Sequence, residues 1–366
     1  MSIDEVIWEL EPHTKAKHEI LKSYLGAWFP ILASVYPRIV YVDGFAGPGV
    51  YKGGEDGSPI IALKVASNHT LLSRFRNELV FLFIEPDERR VSQLKQQLKN
   101  INLPSNFKVR VECDSFENCI NRVLDSISEQ EKQLAPSFFF IDPFGPTGFP
   151  MELIKKICGQ NRSEVLINFS YQSMNQWFLQ DPSKHKGLNL LFGNDKWQKA
   201  LTIEDPKQKE EFLRIAYQNA LEELGWRVRP FCMINKHNQT QYYLFFATKN
   251  PRGMSVMKNA MWKPAPTGDF KYSDLSNPSQ PNMFEKSFEE QYIKDFADLI
   301  YSKHKGTSVP KKTLEDELAW HPIFLGRHLT GALKYLEHKT QPARIINVLG
   351  RMRKGSYPGG CTIKFL

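Results

Sequence analysis

Through the first 250 residues, apolar runs too short for helices alternate with longer segments of helical composition. Arg38-Ile-Val-Tyr-Val42, Leu79-Val-Phe-Leu-Phe-Ile84, Ser137-Phe-Phe-Phe-Ile141 and Val165-Leu-Ile-Asn-Phe169 are almost uninterrupted. Such runs predict strands buried on both faces. Phe107-Lys-Val-Arg-Val111 alternates and predicts a strand with one polar side. Ser58-Pro59, read as N-cap and first helical residue, opens a helix over Ile60 to Ala66. Asp87 to Asn100 and about Lys207 to Leu224 are further helices, the latter long and amphipathic. This order predicts an α/β fold with a mostly parallel sheet. Trp226 to Ile234 and Gln241 to Thr248, separated by the polar turn Asn235 to Thr240, predict an antiparallel pair closing that sheet.

Beyond Thr248 the pattern changes. Asn250 to Trp262 reads as a helix packed on the sheet domain, its methionines filling the core. Pro264 to Asn282 holds four prolines and little periodic apolar content, the composition of a linker. Three helices follow, about Phe284 to Lys303, Lys311 to Ala319 and Phe324 to His338, then strands at Arg344 to Leu349 and Cys361 to Phe365. That is the outline of a winged helix. The expected organisation is a sheet domain over 1–263 with an insertion or lid at 172–206, a linker over 264–283, and a small winged-helix-like domain over 284–366.

Composition narrows the class of protein. A chain of 366 residues, 41% hydrophobic and 24% charged, has room for one large core and an accessory domain. No apolar run approaches bilayer length, and Asp4, Glu5 and Glu9 stand where a signal peptide would be basic, so a cytoplasmic protein without membrane attachment is expected. The five cysteines form no C-x-x-C pair; they read as buried thiols, with no disulfide framework and no metal site. A net charge of +8 favours a polyanionic partner such as DNA or RNA. From Lys339 to the last residue there are basic residues and no acidic one, and Arg351, Arg353 and Lys354 at a hairpin tip suit a phosphate backbone. A dimerisation or partner-docking role for the same domain is the alternative.

The candidate chemistry sits where strands end. The first strand runs into Asp43-Gly-Phe-Ala-Gly-Pro-Gly49, and glycines let a ligand approach the backbone closely. The pattern D-x-F-x-G-x-G resembles the first motif of class I methyltransferases that use S-adenosylmethionine (SAM). A carboxylate suits the positively charged end of that cofactor and would repel a pyrophosphate. Asp43, Phe45, Ala46, Gly47 and Gly49 are therefore candidate cofactor residues. Glu85 could accept from ribose hydroxyls, and Asp114 with Ser115 from the adenine amine. The plain alternative is that these acidic residues cap the helices that follow. The interval from Asp43 to Glu85 implies an enlarged loop, assigned to Tyr51 to Gly57; Tyr51 and Ser58 are candidate contacts. Asp142-Pro-Phe-Gly145 is the candidate catalytic loop. A carboxylate and the Pro143 carbonyl can accept both hydrogens of an exocyclic base amine and turn its lone pair toward a methyl group, with Phe144 stacking on the base. A simple turn is the alternative. No cysteine lies there to support a covalent route. His13 and Lys17 share a helical face at i, i+4 and are candidate substrate or cofactor contacts.

Three blocks, Trp8 to His18, Asp43 to Tyr51 with Gly57-Ser-Pro59, and Asp142 to Gly145, together resemble the three-Cys-motif partner (TcmP) family across most of the chain. The resemblance implies a three-Cys-motif protein as partner and a Rossmann-like class I methyltransferase sheet binding SAM. More distantly the chain is similar to rRNA adenine-N6 methyltransferases, whose Asp-Pro-Pro-Tyr is not matched here, and to tRNA guanine-N2 methyltransferases, which carry Asp-Pro-Phe-Gly. The leading expectation is a SAM-dependent methyltransferase acting on an exocyclic amine of a nucleobase. The alternatives are a non-catalytic methyltransferase-like subunit in a mobile-element or defence system, and a sequence-tolerant nucleic-acid-binding module.

Overall fold

The computed structural model describes residues 6–74, 77–266, 268–275, 285–350, 353 and 355–366. Eight strands form one sheet in the order β3-β2-β1-β4-β5-β7-β6-β8. They are β1 (Arg38–Asp43), β2 (Glu78–Ile84), β3 (Phe107–Glu112), β4 (Ser137–Ile141), β5 (Ser163–Phe169), β6 (Arg227–Ile234), β7 (Thr240–Thr248) and β8 (Lys271–Ser273). The first five are parallel, and β7 runs antiparallel to both β5 and β6. This is the expected mostly parallel, Rossmann-like arrangement with an antiparallel closing pair. Asp43 stands level with Phe83 of β2 and Phe140 of β4, so the residues that follow these strands emerge together at one edge.

Both faces of the sheet are covered, which is why β4 and β5 are buried at every position. On one face α4 (Phe116–Glu129), α5 (Met151–Cys158), α7 (His185–Phe192) and α8 (Pro206–Glu223) share a core with Val42, Phe139, Ile167 and Phe245. On the other, α1 (Pro12–Ala33) sets Tyr24 against Phe138 at 4.9 Å and Phe29 against Phe81 at 5.7 Å. It lies beside α2 (Ser58–Ser67); α3 (Glu88–Lys99) precedes β3. The expected insertion is helical: the short α6 (Tyr171–Ser173), a widened turn over Met174–Phe178, α7, and a 3-10 segment Lys196–Thr202 that buries Trp197.

Glu164 fastens α1 to the sheet. Its buried carboxylate accepts from Tyr24 Oη at 2.7 Å, Trp28 Nε1 at 2.9 Å and Thr248 Oγ1 at 2.7 Å. Burial pushes its pKa up and these three donors pull it back. Replacing it with alanine strands three buried donors at once, each worth about 1–3 kcal/mol when left unpaired. Glu164→Ala is expected to lower stability by about 3 kcal/mol or more, read by thermal melting, with Glu164→Gln recovering part. An unchanged melting temperature for Glu164→Ala would refute the clamp.

The second compact unit comprises Asn250–Phe270 and Asn277–Leu366, whereas the first comprises Met1–Lys249 and Lys271–Ser276. This departs from the expected boundaries at 263 and 283. Helix α9 (Pro251–Trp262) belongs with the C-terminal unit because its buried Lys258 Nζ donates to the carbonyls of Leu318 and His321, both at 2.8 Å, while Trp262 packs on Tyr292 and His328. The expected linker contains β8, which pairs in parallel with β6. Three residues among prolines carry no periodicity to reveal a strand. The rest of the unit is α10 (Glu285–His304), β9 (Ser308–Pro310), α11 (Lys311–Trp320), α12 (Gly326–His338), β10 (Ile345–Leu349) and β11 (Thr362–Phe365), with an antiparallel sheet in the order β10-β11-β9. Arg353 is exposed; Arg351 and Lys354 lie outside the described residues. Four cysteines are buried as expected, but Cys113 is exposed.

Candidate functional site

The turn after β1 is held by its glycines. Gly47 and Gly49 have φ of +61° and +78°, where a side chain is strained. A Cβ on Gly49 would stand 2.7 Å from Leu94 Cδ1, and one on Gly57 would stand 2.9 Å from the Gly49 carbonyl carbon. The Gly57 N–H donates to Gly49 O at 2.8 Å, folding the enlarged loop back on the turn. Gly49→Ala is therefore expected to cost about 1–3 kcal/mol from backbone strain and the Leu94 contact, seen as a lower melting temperature. Gly57, rather than Ser58, caps α2. Ser58 instead hydrogen-bonds Asp43.

Asp43 lies one layer beneath the turn, fully buried, and does not line the cleft. Its Oδ1 accepts from Phe45 N and its Oδ2 from Tyr41 Oη, both at 3.4 Å. Burial raises its pKa to about 7 against the hydrogen bond from Ser58, and the nearby Asp142 charge adds to the rise. Glu85 is likewise buried and occupied. Its oxygens accept from Gly47 N and Asp87 N, both at 3.0 Å, and Arg90 Nη1 stands 3.6 Å away. Glu85 thus holds the glycine turn from below and does not line the cleft. Asp114 is bound to Arg122 at 2.8 Å and Ser115 caps α4 through Asn118 N; neither lines the cleft.

Past the end of β4, Asp142 forms the centre of the site. Lys17 Nζ of α1 meets its Oδ2 at 2.5 Å, and Asn168 Nδ2 at the end of β5 donates to its Oδ1 at 2.7 Å. The Lys17 side chain is only 6% exposed. Its neighbour His18 is buried and held neutral, its pKa pulled down to about 3 by desolvation and then by Lys17. His13, sharing the face of Lys17, is bracketed by Glu11 at 2.9 Å and Asp274 at 3.0 Å, and its carbonyl accepts from Tyr242 Oη. Phe144 is half exposed. Trp8 packs edge-on against it at 5.1 Å and against Tyr51 at 6.2 Å, while the Arg90 guanidinium lies 5.2 Å from the Trp8 ring and 5.1 Å from that of Phe144. Trp8 also reaches the glycine turn, 3.7 Å from where a Cβ of Gly47 would be.

These groups surround a cleft of about 490 Å³. It brings together the expected Phe45, Ala46, Gly47, Gly49, Tyr51, Ser58, Asp142, Pro143, Phe144, His13 and Lys17; Gly145 does not line it. The cleft is completed by Gln172, Gln176 and Trp177, from the Gln-, Asn-, Trp- and Phe-rich segment expected as a target-recognition or lid insertion, and by Asn168 and Tyr242, which were not foreseen. Among the described residues no helix is long and apolar enough to cross a membrane, and no group of three or more His, Cys, Asp or Glu is placed to hold a metal ion.

No family model matches the chain, and no curated protein does. Among solved structures, Trm1 from Pyrococcus horikoshii in complex with SAM is similar with a TM-score of 0.39 and 12% identity, over 72% of this chain and 61% of that one. The chain thus spans about three fifths of the length of that protein. An O-methyltransferase from Bacillus cereus in complex with SAH gives 0.33 and 13%, over 66% of this chain and 83% of that one. A putative O-methyltransferase from Klebsiella pneumoniae gives 0.34 and 10%, over 66% and 91%.

Proposed function

We propose that the chain is a SAM-dependent methyltransferase acting on an exocyclic amine of a nucleobase in DNA or RNA. The observation that carries this reading is the placement of Asp142-Pro143-Phe144 across one cleft from the glycine turn at Gly47 to Gly49. The residues fit the cofactor. About 490 Å³ lies in the usual range for a small-molecule site, and two glycines at positive φ leave the turn's backbone open to close approach. Gly47, Gly49, Tyr51 and Ser58 would hold its amino-acid end, with Asp43 supplying negative field from beneath. When bound, SAM supplies an electrophilic methyl group on a sulfonium.

The chain's own residues then set the geometry of transfer. Asp142 and the Pro143 carbonyl accept the two amine hydrogens, which turns the nitrogen lone pair away from the base's π-system and toward the methyl group. Bound SAM would supply the methyl group and leave as S-adenosylhomocysteine, and the Asp142 carboxylate would accept the proton that the methylated amine releases. Lys17 keeps Asp142 fixed and its charge balanced. Gripping of the nucleic acid is assigned to the C-terminal unit. Supporting this are α10, α11 and α12 together with the three-stranded antiparallel sheet, an arrangement compatible with the expected winged helix, and the exposed Lys334, Lys339 and Arg353.

A second reading, a non-catalytic subunit docked on a three-Cys-motif partner, is favoured by one observation: both Asp142 oxygens already have partners. Calorimetry with SAM and with S-adenosylhomocysteine (SAH), followed by transfer of labelled methyl to total RNA and DNA, separates the two. Binding with transfer supports the enzyme. Binding without transfer supports the subunit, and absence of binding sinks the cofactor assignment.

A further inference from the structure

The wall opposite the glycine turn carries features that cofactor binding does not use. Asn168 is 7% exposed and lines the cleft. Its orientation is fixed, because a carboxylate accepts only and so Nδ2 must face Asp142. Oδ1 is consequently turned elsewhere, and it is a buried acceptor with no hydrogen-bond partner among the described residues. Such a group costs stability, which the charge-assisted bond from Nδ2 to Asp142 offsets. Beyond it the chain makes a widened turn, with Leu179 N donating to Met174 O five residues back at 3.0 Å. The widening matters. In a regular α-helix Gln172 and Gln176 share a face, while Trp177 points about 140° away from Gln172. A wider turn swings it back, and all three line the same cleft. Single turns of this kind are frequent at functional sites. Trp177 is 62% exposed there, with Gln172 and Gln176 beside it.

We propose that Asn168 to Trp177 is the base-recognition wall of the cleft. Trp177 stacks on an extruded or single-stranded nucleobase, Gln172 and Gln176 read its edge, and Asn168 positions Asp142, whose carboxylate takes one hydrogen of the exocyclic amine. The chemistry is that of an unstacked base held between an aromatic ring and amide side chains. Phe144, half exposed, lines the same cleft. This assignment rests on the methyltransferase reading for the identity of the amine, and it predicts binding that is measurable without any methyl transfer.

The test uses the full chain saturated with SAH, and the probes are single-stranded DNA hexamers: dA, dC, and their deaminated counterparts containing hypoxanthine or uracil. Calorimetry is expected to show preference of about tenfold or more for the amine-bearing member of at least one pair. Trp177→Ala should weaken that binding by roughly 5- to 100-fold, as loss of one stacking platform does, and Trp177→Phe by less than about threefold. SAH affinity should not change in either variant. Asn168→Ala should bring the amine preference close to one. The proposal is overturned if the wild type binds no probe or shows no preference, if Trp177→Ala retains affinity, or if Trp177→Ala weakens SAH equally. Trp177 is exposed, so its variants keep the test valid even where Asn168→Ala fails to fold. Lack of SAH binding would sink the cofactor reading alone, since the probes can be titrated without it.

Discussion

Asp142→Ala is expected to lower kcat for methyl transfer by about 10²–10³-fold, the usual cost of removing one preorganised hydrogen-bonding group at a reacting centre. It is also expected to weaken SAM binding by roughly tenfold. The second effect follows from Lys17, whose side chain is only 6% exposed and whose ammonium meets Asp142 at 2.5 Å. Without the carboxylate, a nearly buried cation is left close to where a sulfonium must sit. At the effective dielectric of a protein surface, like charges a few ångströms apart repel by a few kcal/mol before relaxation. The double variant Lys17→Met with Asp142→Ala removes that repulsion. It should recover SAM affinity and thermal stability while methyl transfer stays lost. Two measurements decide the point: calorimetry for SAM, and single-turnover transfer of labelled methyl. If the double variant regains transfer, Asp142 is not the orienting acceptor. If the single variant binds SAM normally, Lys17 does not govern charge in the cleft.

The fold was legible because burial on both faces writes itself as unbroken apolar runs. Phe138 to Ile141 and Val165 to Ile167 are apolar and buried at every position, which a surface element is not. The antiparallel pair was legible through its polar turn. What failed were elements too short for periodicity: β8 and β9 hold three residues each. The assignment of α9 failed differently. Its apolar face was clear from Met254, Met257 and Met261, but a pattern says that a face is buried and not by what. At the site, the glycine turn and the loop after β4 were legible because backbone conformation and strand ends constrain residue type. The expected roles of Asp43 and Glu85 shifted for a common reason. Sequence shows that a carboxylate follows a strand; only structure shows that its oxygens point inward, to Ser58 and Phe45 or to Gly47 and Asp87. Asn168 and Trp177 carried no motif, since one is a polar residue inside an apolar strand and the other sits in a turn whose widening has no sequence signature.

SAM affinity is expected to rise with pH through about 7, and SAH affinity to rise much less. Asp43 supplies the difference. Burial raises its pKa to about 7, so in the empty protein it is largely protonated below neutrality. Because the folded value lies above the ordinary one, this group favours the fold at low pH, and that contribution is lost as pH rises from about 4 through 7. A sulfonium bound above Asp43 favours the ionised form, so binding expels a proton. Apparent affinity should therefore reach a plateau above about pH 8 and fall toward tenfold per pH unit below about pH 7. Asp142 cannot take over this role because Lys17 already neutralises it. SAH has the same amino and carboxyl groups and no sulfonium, so the ratio of the two affinities cancels ionisation of the ligand and isolates the protein's charge. Between pH 8 and pH 6 that ratio should shrink by roughly an order of magnitude. In Asp43→Asn, whose side chain carries no charge at any pH, the ratio should be flat and equal to the wild-type value at low pH. A wild-type ratio that is flat from pH 6 to pH 8, or an Asp43→Asn ratio that still varies, would remove Asp43 as the counter-charge of the sulfonium. It would leave the glycine turn to hold the cofactor by shape and backbone hydrogen bonds alone.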